Sequence, residues 1–325
     1  MKKVGLLLTF VLFLLTPTTT RAANNKFGIH VISEQDLEDA ANLVNSNDGE
    51  WGYVTLVIRE DEWDLKRWNE AMHKMAELKL IPIIRIATHI EGDSWTRPDI
   101  KKAKDWAYFL NQLDWPTKKQ HVVLFNEPNH AKEWGGSISP EEYAVIARRY
   151  WEEFKKANPD FFILPAALDQ AAPNSNLTIS EESFLEKMFT EDELIFTIFD
   201  GWNSHSYPNP GFSGNPEDTG RMSIDGYEWE LGILEKYWLY PDTPVFITET
   251  GWSDNNLSQD TIADFFKYAF ENVWSNDRVA AVTPFLLSHP NPPFDDFSWK
   301  DKNGNFTKSY YLVQSLHKVK GDPSL

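Results

Sequence analysis

The chain has 325 residues, no cysteine and a formal net charge of −18. The absence of cysteine excludes cysteine nucleophiles, thiolate metal sites and dithiol redox chemistry. The negative charge argues against nucleic acid and anionic membranes as partners, because like charges repel, and it is compatible with a neutral ligand.

A secretory signal is predicted over residues 1–23. Two lysines precede an apolar run over residues 4–15, and two small residues, Ala22 and Ala23, end the segment. The run is shorter than the roughly 20 residues that a transmembrane helix needs, so an uncleaved anchor is the less favoured alternative. The sequence thus predicts an exported protein, secreted or retained in the cell envelope. Residues 24–325 would form one domain, without membrane contact once the signal is removed.

Eight apolar runs of strand length alternate with segments of helical periodicity. The predicted strands cover residues 26–33, 51–60, 80–88, 121–128, 161–169, 199–207, 244–252 and 280–289. The predicted helices cover residues 36–45, 64–78, 98–113, a segment that begins at Ser139, 180–189, 225–238, a segment that begins at Ser258, and 306–319. Eight strand–helix units predict a parallel sheet closed into a single-domain (β/α)8 TIM barrel. An open doubly wound sheet is the alternative, disfavoured because no glycine-rich phosphate turn follows an early strand.

Two of the predicted strands end in a glutamate. Residues 122–129 read VVLFNEPN and residues 245–252 read VFITETGW, which places Glu127 and Glu249 at the ends of the fourth and seventh strands. In a barrel of this kind, the carboxyl ends of all strands lie at the face where active sites are built. Two carboxylates across a cleft can cleave a glycosidic bond. One protonates the leaving oxygen, and the other attacks the anomeric carbon or activates a water.

The two motifs resemble the acid/base and nucleophile motifs of the retaining glycoside hydrolases of clan A, in particular the cellulase-like barrels of family 5. The resemblance implies that Glu127 is the general acid/base, that Glu249 is the nucleophile and that Asn126 binds the sugar 2-hydroxyl. The sequence HSY, from His205 to Tyr207, is similar to the His-x-Tyr pattern of these barrels. The resemblance implies that the tyrosine hydroxyl contacts the nucleophile and that the histidine lies close by.

The resemblance also implies a cation beside the nucleophile. Arg59, at the end of the second predicted strand, would keep the nucleophile ionised, because a nearby positive charge lowers the pKa of a carboxyl group. Arg85 on the third strand is the alternative, and strand alternation does not decide between the two. His89, which follows the third strand, would complete this side of the site.

Aromatic rings outside the predicted strands and helices are candidates for sugar platforms, because sugars present flat apolar faces. The resemblance implies that Trp299, beyond the eighth strand, forms the floor of the cleavage subsite. Trp252 and Phe294 are alternatives for this platform.

The sequence therefore predicts an enzyme that hydrolyses a β-linked polysaccharide or oligosaccharide with retention, with glucan or mannan favoured. An exo-acting β-glycosidase, a transglycosylase and a non-catalytic carbohydrate-binding protein on a decayed barrel are the alternatives. No cofactor or metal is predicted, because the histidines lack metal-binding spacing, and no Gly-x-Ser-x-Gly elbow points to a serine hydrolase. The pattern predicts no particular sugar, linkage or oligomeric state.

Overall fold

The computed structural model describes residues 24–324, so the predicted signal over residues 1–23 lies outside the described residues. Strands and helices alternate along the described chain. The main strands are β1 Gly28–His30, β2 Gly52–Arg59, β3 Leu80–Ala87, β4 Gln120–Leu124, β5 Phe161–Pro165, β6 Trp202–Ser204, β7 Val245–Ile247 and β8 Val279–Val282. The α-helices are α1 Leu37–Val44, α2 Leu65–Glu77, α3 Ala103–Leu110, α4 Pro140–Ala157, α5 Glu181–Glu191, α6 Gly226–Leu234, α7 Gln259–Tyr268 and α8 Lys308–Ser315. A short antiparallel pair, Ile90–Glu91 with Ser94–Trp95, lies in the loop after β3.

The main strands form two parallel sheets. Strands β1 to β5 are neighbours in chain order in one sheet, and β6, β7 and β8 form the other. Isolated parallel bridges join the sheet edges, one between Phe27 and Val282 and one between Asp169 and His205. Each edge of the larger sheet therefore contacts an edge of the smaller one, and the predicted parallel α/β class is confirmed.

Strand alternation divides the core into an inner and an outer layer. The inner cluster lies between the two sheets and consists of Tyr53, Ile81, Ile83, Val123, Phe162, Leu164, Phe246, Ala280 and Ala281. The intervening strand residues, such as Ile84 and Ile86, pack against the helices in the larger cluster. Because side chains repeat every second residue along a strand, Arg85 continues the inner series of Ile81 and Ile83 toward the carboxyl end of β3.

The helices present an apolar stripe to the sheets. Helix α4 begins at Pro140, whose fixed φ suits the first helical position, and buries Tyr143, Ala147 and Phe154 at helical spacing. No helix between residues 24 and 324 combines the length and the apolar content that a membrane crossing requires.

Candidate active site

The structure brings Glu127 and Glu249 together. Glu127 follows the end of β4, and Glu249 follows the end of β7. Ligating atoms of Glu127, His205 and Glu249 all lie within 4.8 Å of one another. The Glu127 side chain is 21% exposed and that of Glu249 is 12% exposed. Both carboxylates are thus largely enclosed, and both remain accessible to a ligand.

The backbone leaves the extended conformation where Glu127 enters the cleft. Phe125 has a φ of 73° and Glu127 a φ of 31°, in the left-handed region that costs a residue other than glycine about 1–3 kcal/mol. Hydrogen bonds offset this cost: the Glu127 N–H donates to the Ala167 carbonyl at 3.1 Å, and the His130 N–H donates to the Glu127 carbonyl at 2.9 Å. The strained turn ends β4 at Leu124 and directs the carboxylate away from the sheet.

The loop after β6 supplies two partners for the glutamates. Nδ1 of His205 lies 2.8 Å from Oε1 of Glu127 and 3.9 Å from Oε2 of Glu249. The Tyr207 hydroxyl donates to Oε2 of Glu249 at 3.2 Å. Both side chains therefore lie where the resemblance to clan A places them, although their roles stay predictions.

Charge and burial act in opposite directions on Glu249. Burial favours its neutral form, but the positive charges of His205 and Arg85 and the Tyr207 hydrogen bond outweigh burial and lower the pKa of Glu249. Burial and the charge of Glu249 raise the pKa of Tyr207 well above its ordinary value, so its hydroxyl stays protonated and donates. Burial lowers the pKa of His205, but the negative charges of Glu249 and Glu127 outweigh it, and the net pKa of His205 is raised.

His30, at the end of β1, also lies beside Glu249. Its Nδ1 lies 3.8 Å from Oε1 of Glu249, and neither ring nitrogen has a hydrogen-bond partner within residues 24–324. Burial lowers the pKa of His30 to about 4, so its ring is neutral at neutral pH. Nothing in the sequence marks His30 as a site residue, because β1 has the composition of an ordinary buried strand.

The structure decides between the two candidate arginines. In the register of β2 and β3, Val57 lies beside Arg85, and Arg59 lies beside Ala87 at the outer end of the pair. Arg59 is 37% exposed, and its Nε lies 2.9 Å from Oδ1 of Asp61. The assignment of Arg59 is therefore corrected, since Arg85 is the arginine whose charge acts on Glu249.

His89, predicted to complete the site after the third strand, lies beside Glu60. Its Nδ1 lies 2.5 Å from Oε1 of Glu60, and its side chain is 46% exposed. The histidine thus binds at the outer rim of the loop after β3, on the Glu60 carboxylate, instead of extending to Glu127 or Glu249.

The two predicted tryptophan platforms are core residues. Trp252 and Trp299 are each only 2% exposed. The Trp252 indole N–H donates to the Gly214 carbonyl at 2.8 Å, and the Trp299 ring packs 4.8 Å from that of Phe266. Neither ring has a free face for a sugar, so both platform assignments are wrong.

Phenylalanines surround the site instead. Phe285, which follows β8, packs edge-on against His30 with 5.3 Å between ring centroids, and Phe294 packs against Phe285 at 5.4 Å. Phe294, the third platform candidate, is 43% exposed. Phe212 packs on Tyr207 at 5.1 Å. Phe285 lies inside the eighth predicted strand, over residues 280–289, whereas the observed strand ends at Val282, so the sequence does not set this ring apart from the sheet.

Asn126 lies at the mouth of a crevice beside Glu127. Its Nδ2 donates to Oε2 of Glu133 at 3.4 Å. The crevice is small, with a volume of about 20 Å³, and Arg85, Trp95, Asn126 and Glu133 are among its lining residues. Glu133 was missed because nothing in the sequence distinguishes it from an ordinary loop carboxylate.

The site is chemically suited to acid/base and nucleophilic catalysis on a ligand that lies between the two carboxylates. Within residues 24–324, Glu127, His205 and Glu249 are also the group of side chains with spacing suited to a metal ion. His205 acts on both carboxylates, but the pair differs in environment, because Glu249 is also acted on by Arg85 and accepts from the Tyr207 hydroxyl. Such a difference is what separates an acid from a nucleophile.

Comparisons with known proteins agree with this geometry. A family model described as "Glycosyl hydrolase catalytic core" matches residues 92–311. No curated protein matches the chain.

Solved structures share the fold. One is a family 39 glycoside hydrolase from the gut symbiont Bacteroides cellulosilyticus, at 15% identity and a TM-score of 0.61, covering 90% of this chain and 63% of that chain. Another is a monomeric beta-xylosidase from Caulobacter crescentus, at 11% identity and a TM-score of 0.62, covering 91% of this chain and 69% of that chain. A third is a GH5_18 protein from Streptomyces cattleya in complex with GlcNAc, at 16% identity and a TM-score of 0.62, covering 90% of this chain and 80% of that chain. The chain spans less than two thirds of the length of the first. At these identities the similarity shows a barrel-like fold alone.

Proposed function

Because the chain belongs to the glycosyl hydrolase catalytic core family, we propose that it hydrolyses β-glycosidic bonds with retention of anomeric configuration. The family match confirms the resemblance to clan A that the two glutamate motifs carry. The observation that supports retention is the closeness of Glu127 and Glu249, since one carboxylate oxygen of each lies within 4.8 Å of the other. Retaining enzymes hold their carboxyl groups about 5–5.5 Å apart, whereas inverting enzymes need about 6.5–9.5 Å to admit a water.

In the first step, a Glu249 oxygen attacks the anomeric carbon while the bond from that carbon to the leaving oxygen breaks. Glu127 donates its proton to the leaving oxygen, and a glycosyl ester of Glu249 results. The lowered pKa of Glu249 supports an ionised nucleophile. The Tyr207 hydroxyl, 3.2 Å from Oε2, keeps the carboxylate in place.

In the second step, Glu127 takes a proton from a water, and the water oxygen attacks the anomeric carbon. The ester bond breaks, Glu249 leaves as a carboxylate, and Glu127 is protonated again. If a sugar hydroxyl replaces the water, the same step is transglycosylation.

We further propose that the two sheets close into an eight-stranded (β/α)8 barrel and that the protein is exported. The bridges between Phe27 and Val282 and between Asp169 and His205 support closure. A glucan or mannan is the favoured substrate class, and the partly exposed rings Phe285 and Phe294 support a ligand with flat apolar faces.

An exo-acting β-glycosidase is the second candidate. The long loop over residues 208–224 places Phe212 against Tyr207 and Gly214 against Trp252, so it covers one side of the site. A loop in this place favours removal of single sugars from a chain end. Product size separates the two, because an endo-acting enzyme releases mixed oligosaccharides from the start of the reaction.

The test is a panel of β-linked glucan, mannan, xylan and galactan, with reducing sugar measured after incubation with the full chain. We expect release from at least one polymer or its oligosaccharides. Proton NMR of the first product formed should then show the β-anomer before mutarotation. Release of the α-anomer would overturn retention, and sugar binding without any release would favour the carbohydrate-binding alternative.

A further inference from the structure

We propose that Glu133 is a positioning residue that fixes the orientation of the Asn126 side-chain amide for recognition of the sugar 2-hydroxyl. The inference rests on the proposed function, since it assigns a task within the same site. Glu133 lies in the loop that carries the proposed acid/base, Glu127.

The loop after β4 is held rigidly. Glu133 ends a short 3-10 turn, Ala131–Glu133. The Ala131 N–H donates to the Leu177 carbonyl at 2.8 Å, and the Gly135 N–H donates to the Trp95 carbonyl at 2.9 Å. Gly135 has a φ of 63°, in the left-handed region that favours glycine. A Cβ at this position would lie 2.9 Å from the Arg97 side chain, so any other residue would strain the loop. The loop therefore holds the Glu133 side chain in place beside that of Asn126.

The contact between the two side chains selects one of two amide orientations. An ionised carboxylate only accepts hydrogen bonds, so the Nδ2 end of Asn126 must face Glu133, as it does at 3.4 Å. The opposite end, Oδ1, is then buried and has no hydrogen-bond partner in the part of the chain that the structure describes. A buried acceptor without a partner is costly, and a ligand hydroxyl in the crevice would satisfy it.

Arg85 connects Glu133 to the nucleophile. Its positive charge acts on both Glu133 and Glu249, and its Nε is buried without a partner among residues 24–324. Burial raises the pKa of Glu133, with a further contribution from the charge of Glu127, while Arg85, Asn126 and Lys132 oppose the shift. Glu133 thus shares one partly buried cation with Glu249, and removing the charge of Glu133 should leave Arg85 acting on Glu249 alone.

The test compares Glu133→Gln with the wild-type full chain. Glutamine keeps the size of the side chain but offers both a donor and an acceptor, so it no longer selects the Asn126 orientation. On an aryl β-glycoside of the sugar that the wild type cleaves, we expect kcat/KM to fall between about tenfold and a hundredfold. On the 2-deoxy analogue the change should stay within about twofold, because the contact in question is absent. The acid limb of the kcat/KM profile should move to lower pH, because the pKa of Glu249 falls further.

Glu142→Gln is the matched control. Glu142 stabilises the same loop by accepting from the Trp134 indole N–H at 3.2 Å and by pairing with Arg97 at 3.1 Å, without a contact to Asn126. Glu142→Gln should change kcat/KM on the two substrates by the same factor or leave both values unchanged. Equal losses on the two substrates for Glu133→Gln, or no loss on either, would overturn the proposal.

A second measurement does not depend on turnover. In protein labelled with 15N-asparagine, the side-chain NH2 resonance of Asn126, assigned from Asn126→Asp, should shift in Glu133→Gln and stay unchanged in Glu142→Gln. An unshifted resonance in Glu133→Gln overturns the positioning role. If the wild type cleaves no glycoside, the proposed function fails, and this spectrum still decides whether Glu133 orients Asn126.

Discussion

Within residues 24–324, two pairs of glutamates lie in opposite settings. Glu127 and Glu249 lie at the carboxyl ends of strands, partly accessible, with Arg85 and His205 supplying positive charge. Glu181 of α5 and Glu230 of α6 are fully buried, and burial together with their mutual repulsion raises the pKa of Glu181 well above its ordinary value.

The contrast shows that two nearby carboxyl groups do not by themselves make an active site. At Glu181, burial and repulsion from Glu230 outweigh the charge of Arg221, so this buried pair is stable only when protons neutralise it. A pair that a ligand can reach, and that holds one ionised member beside a cation, has the charge distribution needed for nucleophilic attack. Substitutions in the accessible pair, in its arginine and in the buried pair test this distinction.

The first prediction concerns the proposed nucleophile. Glu249→Gln should reduce kcat by at least about 10⁴-fold, because the amide cannot form the glycosyl ester. Sugar binding should persist, and isothermal titration calorimetry with an oligosaccharide that the wild type cleaves would measure it. Near-wild-type turnover in this variant would remove Glu249 from the mechanism.

The second prediction concerns the acid/base. Glu127→Ala should lower kcat/KM by about 10²- to 10⁴-fold on a substrate whose leaving group needs a proton. The loss should be much smaller with a dinitrophenyl leaving group, which departs without protonation. Steady-state kinetics on both substrates checks this, and equal losses would contradict the acid role.

The third prediction separates the two arginines. The charge of Arg85 lowers the pKa of Glu249, so Arg85→Gln should raise that pKa. Glu249 must be ionised to attack, and the acid limb of the kcat/KM profile should therefore move to higher pH. Arg59→Gln serves as the control, because Arg59 binds Asp61 at the surface. A shift in the Arg59 variant alone would reverse our assignment.

The fourth prediction tests the buried pair. Glu181 has a folded-state pKa raised above its unfolded value, so its contribution to stability is present at low pH and is lost as the pH rises. Glu181→Gln removes this titration. We expect the variant to gain thermal stability relative to the wild type as the pH rises from 5 to 8, by a few degrees in Tm. A difference in Tm that is constant across this range would contradict the assignment.

The sequence predicted the strand–helix order and the residues at the tips of β4, β6 and β7, because strand periodicity and short motifs are local features. The sequence did not distinguish Arg59 from Arg85, because strand alternation places both side chains on the same face of the sheet. Only the register of β2 against β3 shows that Arg59 lies nearer the outer end of the strand pair. The burial of Trp252 depends on how a distant loop folds over it.

Residues that act through long-range contacts were likewise missed. His30 and Glu181 have no distinguishing local pattern, and each gains its character from side chains far along the chain. Glu133 lies only seven residues from Asn126, but their contact depends on the folded loop between them. Burial and pairing of this kind are properties of the packed molecule and leave little trace in the sequence nearby.

Nδ1 of His205 faces both glutamates, and this position affects how charge is balanced during the reaction. Nδ1 lies nearer to Glu127 than to Glu249 but within 4 Å of each. In the proposed mechanism, the negative charge leaves Glu249 when the ester forms and arises on Glu127, which has just given up its proton. An imidazolium at this point would face one anion before the step and one anion after it, without moving. The total charge enclosed by the trio would then stay constant, and the cleft would need no counterion from solvent at any stage of the cycle.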